Sequence, residues 1–247
     1  MTSAAVAYEG VGRIAVIRIN RPEKMNRLDT EIVHAMQDAW RRFMATHEHW
    51  VAVLVGGEHA FSAGADLKAV PHDLYKAIPG VGVPVDKPVV AAVSGWCIGG
   101  GMVMTTMADI LIAADDAVFS YPEVKIGFSG GLISNLATRI PHKIAMELLL
   151  VGDNVSAQRA YEVGYVNALV PAAEVESTAM RWAEKIAATA PLPSRMLKRF
   201  VGQTLPQGPT EAAAIARVQV EDINESADWV EGPGAFFERR EPNFTGR

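Results

Sequence analysis

Cysteine is almost missing from this chain: Cys97 stands alone among 247 residues. One thiol excludes an internal disulfide framework and fits a reducing compartment. By itself it reads as a small buried hydrophobe rather than a nucleophile. Long apolar runs are also absent. No stretch reaches the ~18–20 residues of a membrane-spanning helix, and the N-terminal MTSAAVAYEG lacks the basic start of a signal peptide. Charge of one sign is not concentrated anywhere, and a net charge of −5 excludes a nucleic-acid or anionic-membrane surface. The six histidines (34, 47, 49, 59, 72 and 142) show no metal-ligand spacing beyond His47-x-His49. Neither G-x-G-x-x-G nor G-x-x-x-x-G-K-[ST] occurs, which speaks against a nucleotide fold. These absences predict a cytoplasmic protein without a metal.

What is present is an alternation of strands and helices. Arg13–Ile19 alternates charged and apolar residues like a half-buried strand. Asp29 is placed to cap a helix over Thr30–Met44, with Ile32, Met36, Ala39, Trp40 and Phe43 on one face. Trp50–Val55 and Pro88–Val93 are continuous apolar runs, as expected of strands covered on both faces. Asp109–Ala114, Ala117–Tyr121 and Val166–Val170 are further strand candidates. The pattern predicts an α/β fold with parallel strands. Beyond about residue 172 the strands stop. Helices are predicted over Ala172–Thr189, Leu192–Gly202 and Pro209–Asp228, with a short fourth after Gly234. The division is therefore a core over 1–190 and a helical section over 191–247. The latter has too little regular apolar surface for its own core, so it packs on the core or on a neighbouring subunit. A slightly positive mean hydropathy of +0.12 fits apolar surface covered by a partner.

Two glycine loops follow buried strands. Phe61-Ser62-Ala63-Gly64-Ala65-Asp66-Leu67-Lys68 comes after the strand ending near Val55, and Gly99-Gly100-Gly101 follows Pro88–Val93 and opens a helix. Small residues at the carboxyl end of parallel strands let backbone N–H groups approach a ligand. One N–H from each loop would make an oxyanion hole. Ordinary strand-to-helix turns are the alternative reading.

Taken in order, the motifs resemble the crotonase, or enoyl-CoA hydratase/isomerase, superfamily. Arg21-Pro22-Glu23-Lys24-Met25-Asn26, the Phe61–Lys68 loop, Lys87–Gly95 with Gly99-Gly100-Gly101, Tyr121-Pro122-Glu123-Val124-Lys125-Ile126-Gly127 and the Glu231–Arg240 segment each match a motif of that family. The resemblance implies a ββα spiral core with a helical C-terminal trimerisation section, assembled as homotrimers or homohexamers. It implies an acyl-CoA thioester substrate, with CoA arriving as part of that thioester and no separate cofactor. The Ala65 and Gly100 N–H groups would hold the thioester oxygen, and Glu123 would move protons. Lys24, Met25, Ala63, Asp66, Leu67 and Lys68 would line the CoA groove. Phe236 and Arg239 would reach the CoA of a neighbouring subunit.

One position departs from the family's hydratases. They carry a first glutamate two residues beyond the third glycine, where this chain has Val103. Valine neither takes nor gives a proton. A single carboxylate suffices for a Δ3,Δ2-enoyl-CoA isomerase, which removes a proton at the α-carbon and returns it at the γ-carbon. A hydratase with a substituted first glutamate, another reaction of this scaffold, or a catalytically reduced acyl-CoA-binding subunit are the alternatives. The Asp66–Lys87 segment is shorter than in typical hydratases, and Phe128-Ser129-Gly130-Gly131-Leu132 replaces the usual I-P-G-x-G-G. Without the resemblance, Glu123 could equally cap Lys125 or a turn. His72, Asp73 and Tyr75, in the segment that covers the acyl group, are spare candidates.

Overall fold

The computed structural model describes residues 4–127 and 129–247. In chain order its elements are β1 (Val6–Val11), β2 (Ile14–Ile19), α1 (Thr30–Ala45), β3 (Val51–Val55), β4 (Ala60–Ser62), β5 (Val89–Val93), β6 (Trp96–Ile98) and α2 (Gly100–Thr106). There follow β7 (Ile110–Ala114), β8 (Val118–Ser120), α3 (His142–Val151), β9 (Val155–Ser156), α4 (Ala157–Glu162) and β10 (Ala168–Val170). The helices α5 (Val175–Ala187), α6 (Pro191–Thr204), α7 (Pro209–Asn224) and α8 (Ala227–Glu238) complete the chain.

Two sheets run through the core in the orders β1-β2-β3-β5-β7-β10 and β4-β6-β8-β9. In the first, β1 is antiparallel to β2 and every later pair is parallel. Three successive passes give a longer strand to the first sheet and the next, shorter strand to the second: β3 then β4, β5 then β6, β7 then β8. The chain thus climbs as a spiral. Every residue of β3 and β5 is buried, as their unbroken apolar sequence predicts. Asp29 caps α1 as expected, its carboxylate accepting from the Ile32 N–H at 3.0 Å.

The second strand differs from expectation. Only Arg18 of β2 is not buried, and it pairs with Glu176. The strand is covered because both α1 and α5 pack against it, so the Arg13–Ile19 alternation does not mark a solvent face. The short strands β4, β6 and β9 lie below the length at which a period-2 pattern can be read.

No strand follows α5, and α7 ends at Asn224 rather than Asp228. The Ser226 hydroxyl accepts from the Trp229 N–H at 3.2 Å and starts α8 there, ahead of Gly234. Pro233 is carried inside that helix. The α6 helix buries no side chain. Ion pairs hold it to the core instead, Arg195 with Asp86 at 2.9 Å and Lys198 with Asp109 at 2.8 Å. In contrast, α7 buries Glu211, Ala214 and Val218. Among the described residues no helix is long and apolar enough to cross a membrane.

Candidate active site

The two glycine loops meet. Leu28 donates to Gly64 O at 2.8 Å and accepts from the Asp66 N–H at 3.1 Å. That parallel bridge turns the intervening Ala65 N–H away from Leu28. Gly100 is the first residue of α2, so its N–H has no acceptor within the helix. Ala65 and Gly100 both line a cavity of about 270 Å³. A close approach fixes glycine between them. Gly99 has φ +53°, and a Cβ there would stand 2.6 Å from the Glu123 Oε1 atom.

Glu123 reaches the cavity through local geometry. The Gly99 N–H donates to Ser120 O at 2.9 Å, which ties the end of β8 to the start of α2. The chain then enters a 3₁₀ turn, Pro122–Ile126, begun by Pro122 and closed by Gly127 at φ +68°. This turn projects Glu123 inward, with 8% of its surface exposed and no partner for Oε2. Burial pushes its carboxyl up to about 7, partly offset by a bond from its own backbone N–H. Lys125, which Glu123 might have capped, pairs instead with Asp153 at 2.5 Å. The carboxyl is therefore unspent.

Val103 lines the same cavity, one helical turn into α2, with its N–H donating to Gly99 O at 3.0 Å. The described lining residues offer Glu123 no second carboxylate. If Glu123 is the base, it must be ionised to accept a proton, and kcat/KM is expected to rise with pH along one limb with its midpoint near 7. A profile flat between about pH 5 and 9 would show that another group is the base.

The other sequence candidates divide. Lys24, Met25, Leu67 and Lys68 are exposed and lie outside the cavity lining. The Ala63 N–H bonds to Met25 O at 2.9 Å, which joins the two predicted CoA-groove segments. Asp66 is occupied by Arg27 at 3.0 Å and by the Lys68 N–H at 3.0 Å, so it holds the loop in shape. Phe236 is 78% exposed on α8, and Arg239 closes that helix; neither borders the cavity.

Of the spare candidates, His72 and Tyr75 line the cavity. The Tyr75 hydroxyl is pushed up to about 12 by burial and then by Glu221, to which it donates at 2.9 Å. It is a wall rather than an acid. Asp73 sits 2.7 Å from His34. Phe128 lies outside the described residues. Sequence reasoning did not single out Tyr121, Leu132, Thr210 or Ala214 as site residues, yet all four line the cavity. The helical spacing of Glu211, Ala214 and Val218 marks a buried face, but nothing in the spacing says which surface it meets.

A spiral of strands that brings two glycine-loop backbones and one desolvated carboxyl onto a single cavity is the arrangement of the crotonase class. The family model "Enoyl-CoA hydratase/isomerase" matches residues 9–247. The chain belongs to that family. It is 32% identical to the probable mitochondrial enoyl-CoA hydratase of Dictyostelium discoideum, over 96% of this chain and 89% of the relative. It is 34% identical to the carnitinyl-CoA dehydratase of Proteus mirabilis, over 96% of each chain. Among solved structures, the enoyl-CoA hydratase of Mycobacterium tuberculosis H37Rv superposes with a TM-score of 0.77 at 36% identity, over 99% of this chain and 100% of that one.

Proposed function

We propose that this enzyme moves a proton along an acyl-CoA thioester by way of an enolate, in the manner of a Δ3,Δ2-enoyl-CoA isomerase. Glu123 takes the α-proton. The negative charge passes to the thioester oxygen, held by the Ala65 and Gly100 N–H groups. Glu123 then returns the proton at the γ-carbon. The observation that carries this reading is the pairing of a buried Glu123, whose Oε2 has no partner among the described residues, with Val103 on the same cavity. A valine helps keep the pocket dry, which favours proton return over attack by water.

The second reading is a hydratase, favoured by the names of the relatives. Side-by-side assays of a 3-enoyl-CoA and of crotonyl-CoA separate the two. Isomerisation is expected to dominate; hydration at or above the isomerisation rate would reverse the assignment. Val103→Glu restores the carboxylate position of the family's hydratases and is expected to bring in hydration of crotonyl-CoA. Two acids in one pocket should also raise one carboxyl further.

The same proposal includes assembly as a homotrimer or homohexamer in the cytoplasm. Leu197, Phe200 and Val201 on α6 and Trp229, Val230 and Phe237 on α8 are each more than half exposed, an apolar load unusual for a free surface. Phe236 and Arg239 would then reach the CoA of an adjoining subunit. Light scattering at micromolar concentration is expected to give three or six chains; a stable monomer would refute it.

A further inference from the structure

The cavity has two sides that come from distant parts of the sequence. Leu74 and Tyr75 lie in a 3₁₀ turn, Leu74–Ala77, that rides over the start of α2; the Leu74 methyls would be 3.5 Å from a Cβ on Gly100. Thr210 and Ala214 lie on α7 and line the cavity with them. A single carboxylate joins these sides. Glu221 accepts from the Tyr75 hydroxyl on Oε1 at 2.9 Å and pairs with Lys76 through Oε2, also at 2.9 Å. Arg217, one turn earlier in α7, steadies the same carboxylate at 3.1 Å. Arg217 also lies over the Tyr75 ring, 6.0 Å from its centroid, and further anchors of the turn run to α1: the Trp40 indole N–H donates to Ala77 O at 2.9 Å, and His34 meets Asp73.

The other end of α7 is equally fixed. Asn135 donates to Glu211 at 2.7 Å, and a Cβ on Gly131 would meet the Thr210 hydroxyl at 2.3 Å. These contacts hold the start of α7 against the cavity. The Tyr75 ring, with 7% of its surface exposed, is not free to swing aside while its hydroxyl is held. A cavity of about 270 Å³ lies just under the ~300–1,000 Å³ of small-molecule sites, which suits a short acyl chain.

We propose that Glu221 is a specificity-determining positioning residue: by clamping Tyr75 and Lys76 to α7 it fixes the acyl wall and restricts the enzyme to short acyl groups. This rests on the acyl-CoA reading above but not on which proton transfer follows. Saturated butyryl-CoA and octanoyl-CoA, which undergo neither hydration nor isomerisation, are therefore the probes. Calorimetric binding to the full-length enzyme is expected to favour butyryl-CoA. In Glu221→Ala the preference should move toward octanoyl-CoA by about tenfold or more, the scale on which apolar pockets discriminate chain length. Tyr75→Phe keeps the ring but not the clamp and should move it the same way. Glu221→Gln, which still accepts from Tyr75, should stay closer to the parent than Glu221→Ala does.

Equal weakening of both thioesters in a folded Glu221→Ala would reduce the clamp to a structural role and overturn the proposal. So would a parent enzyme that binds octanoyl-CoA as tightly as butyryl-CoA. If the parent bound neither thioester, the acyl-CoA reading itself would fall, and the specificity proposal with it. Should Glu221→Ala not fold, Tyr75→Phe and Glu221→Gln carry the same test.

Discussion

Glu123→Gln is expected to lower turnover toward the upper end of the about 10²–10⁴-fold range of general acid–base groups, because in the proposed mechanism one carboxyl serves both proton transfers. CoA thioester affinity should change little, since the proposed oxyanion donors lie on other loops. Exchange of the α-proton of an acyl-CoA in deuterated solvent, followed by NMR, isolates the first transfer; exchange at the parent rate would defeat the mechanism. The same substitution should also stabilise the fold in a pH-dependent way. The carboxyl is raised from 4.5 when solvated to about 7 when folded, so the native state holds its proton more tightly. Below about 4.5 both states are protonated and the group contributes nothing. As pH rises from there through 7 the unfolded chain ionises first, and native Glu123 becomes a growing penalty, on the order of 3 kcal/mol once fully ionised. Glutamine does not titrate. The variant should therefore melt higher than the parent at pH 8, with the gap narrowing toward pH 5. Equal melting points across that range would contradict a desolvated carboxyl.

Gly100→Val is expected to cost about 10²–10³-fold in kcat, the scale for losing one oxyanion donor. The structure gives the cause. A Cβ at position 100 would stand 2.8 Å from the Leu28 Cδ1 atom, and Leu28 is fully buried. The two branches of valine would then press on Leu74 as well, so α2 must shift and carry the N–H out of line. Unlike Glu123→Gln, this variant keeps its base, and its residual activity should retain the pH limb near 7. Full turnover in a Gly100→Val enzyme of unchanged melting temperature would remove Gly100 from the oxyanion hole.

The residues on which the proposed proton chemistry rests could be picked out from the sequence because each is a local feature. A glycine loop after a buried strand, a Pro-Glu pair after another, and a valine two residues past the third glycine can be read without knowing the tertiary fold. The acyl wall was not legible in this way. Thr210 and Ala214 sit on an amphipathic helix whose partner surface no pattern names. Tyr75 and Glu221 are 146 positions apart along the chain, and their contact exists only once α7 has docked. The start of α8 was missed for a smaller reason: Gly232-Pro233-Gly234 looks like a break, while the weaker Ser226 cap is what sets the boundary. Strand β2 shows the opposite error, an alternating pattern overridden by two helices packing on it.

The division between these two groups has a consequence for synthesis. The proposed base and oxyanion donors lie within the first half of the chain, but part of the wall beside them, Thr210 and Ala214, comes from α7, almost the last element to leave the ribosome. The lining of the cavity is thus complete only after the residues proposed for the chemistry have emerged. For the same reason, a lineage could change its substrate by altering these late-emerging residues while the reacting atoms keep their places.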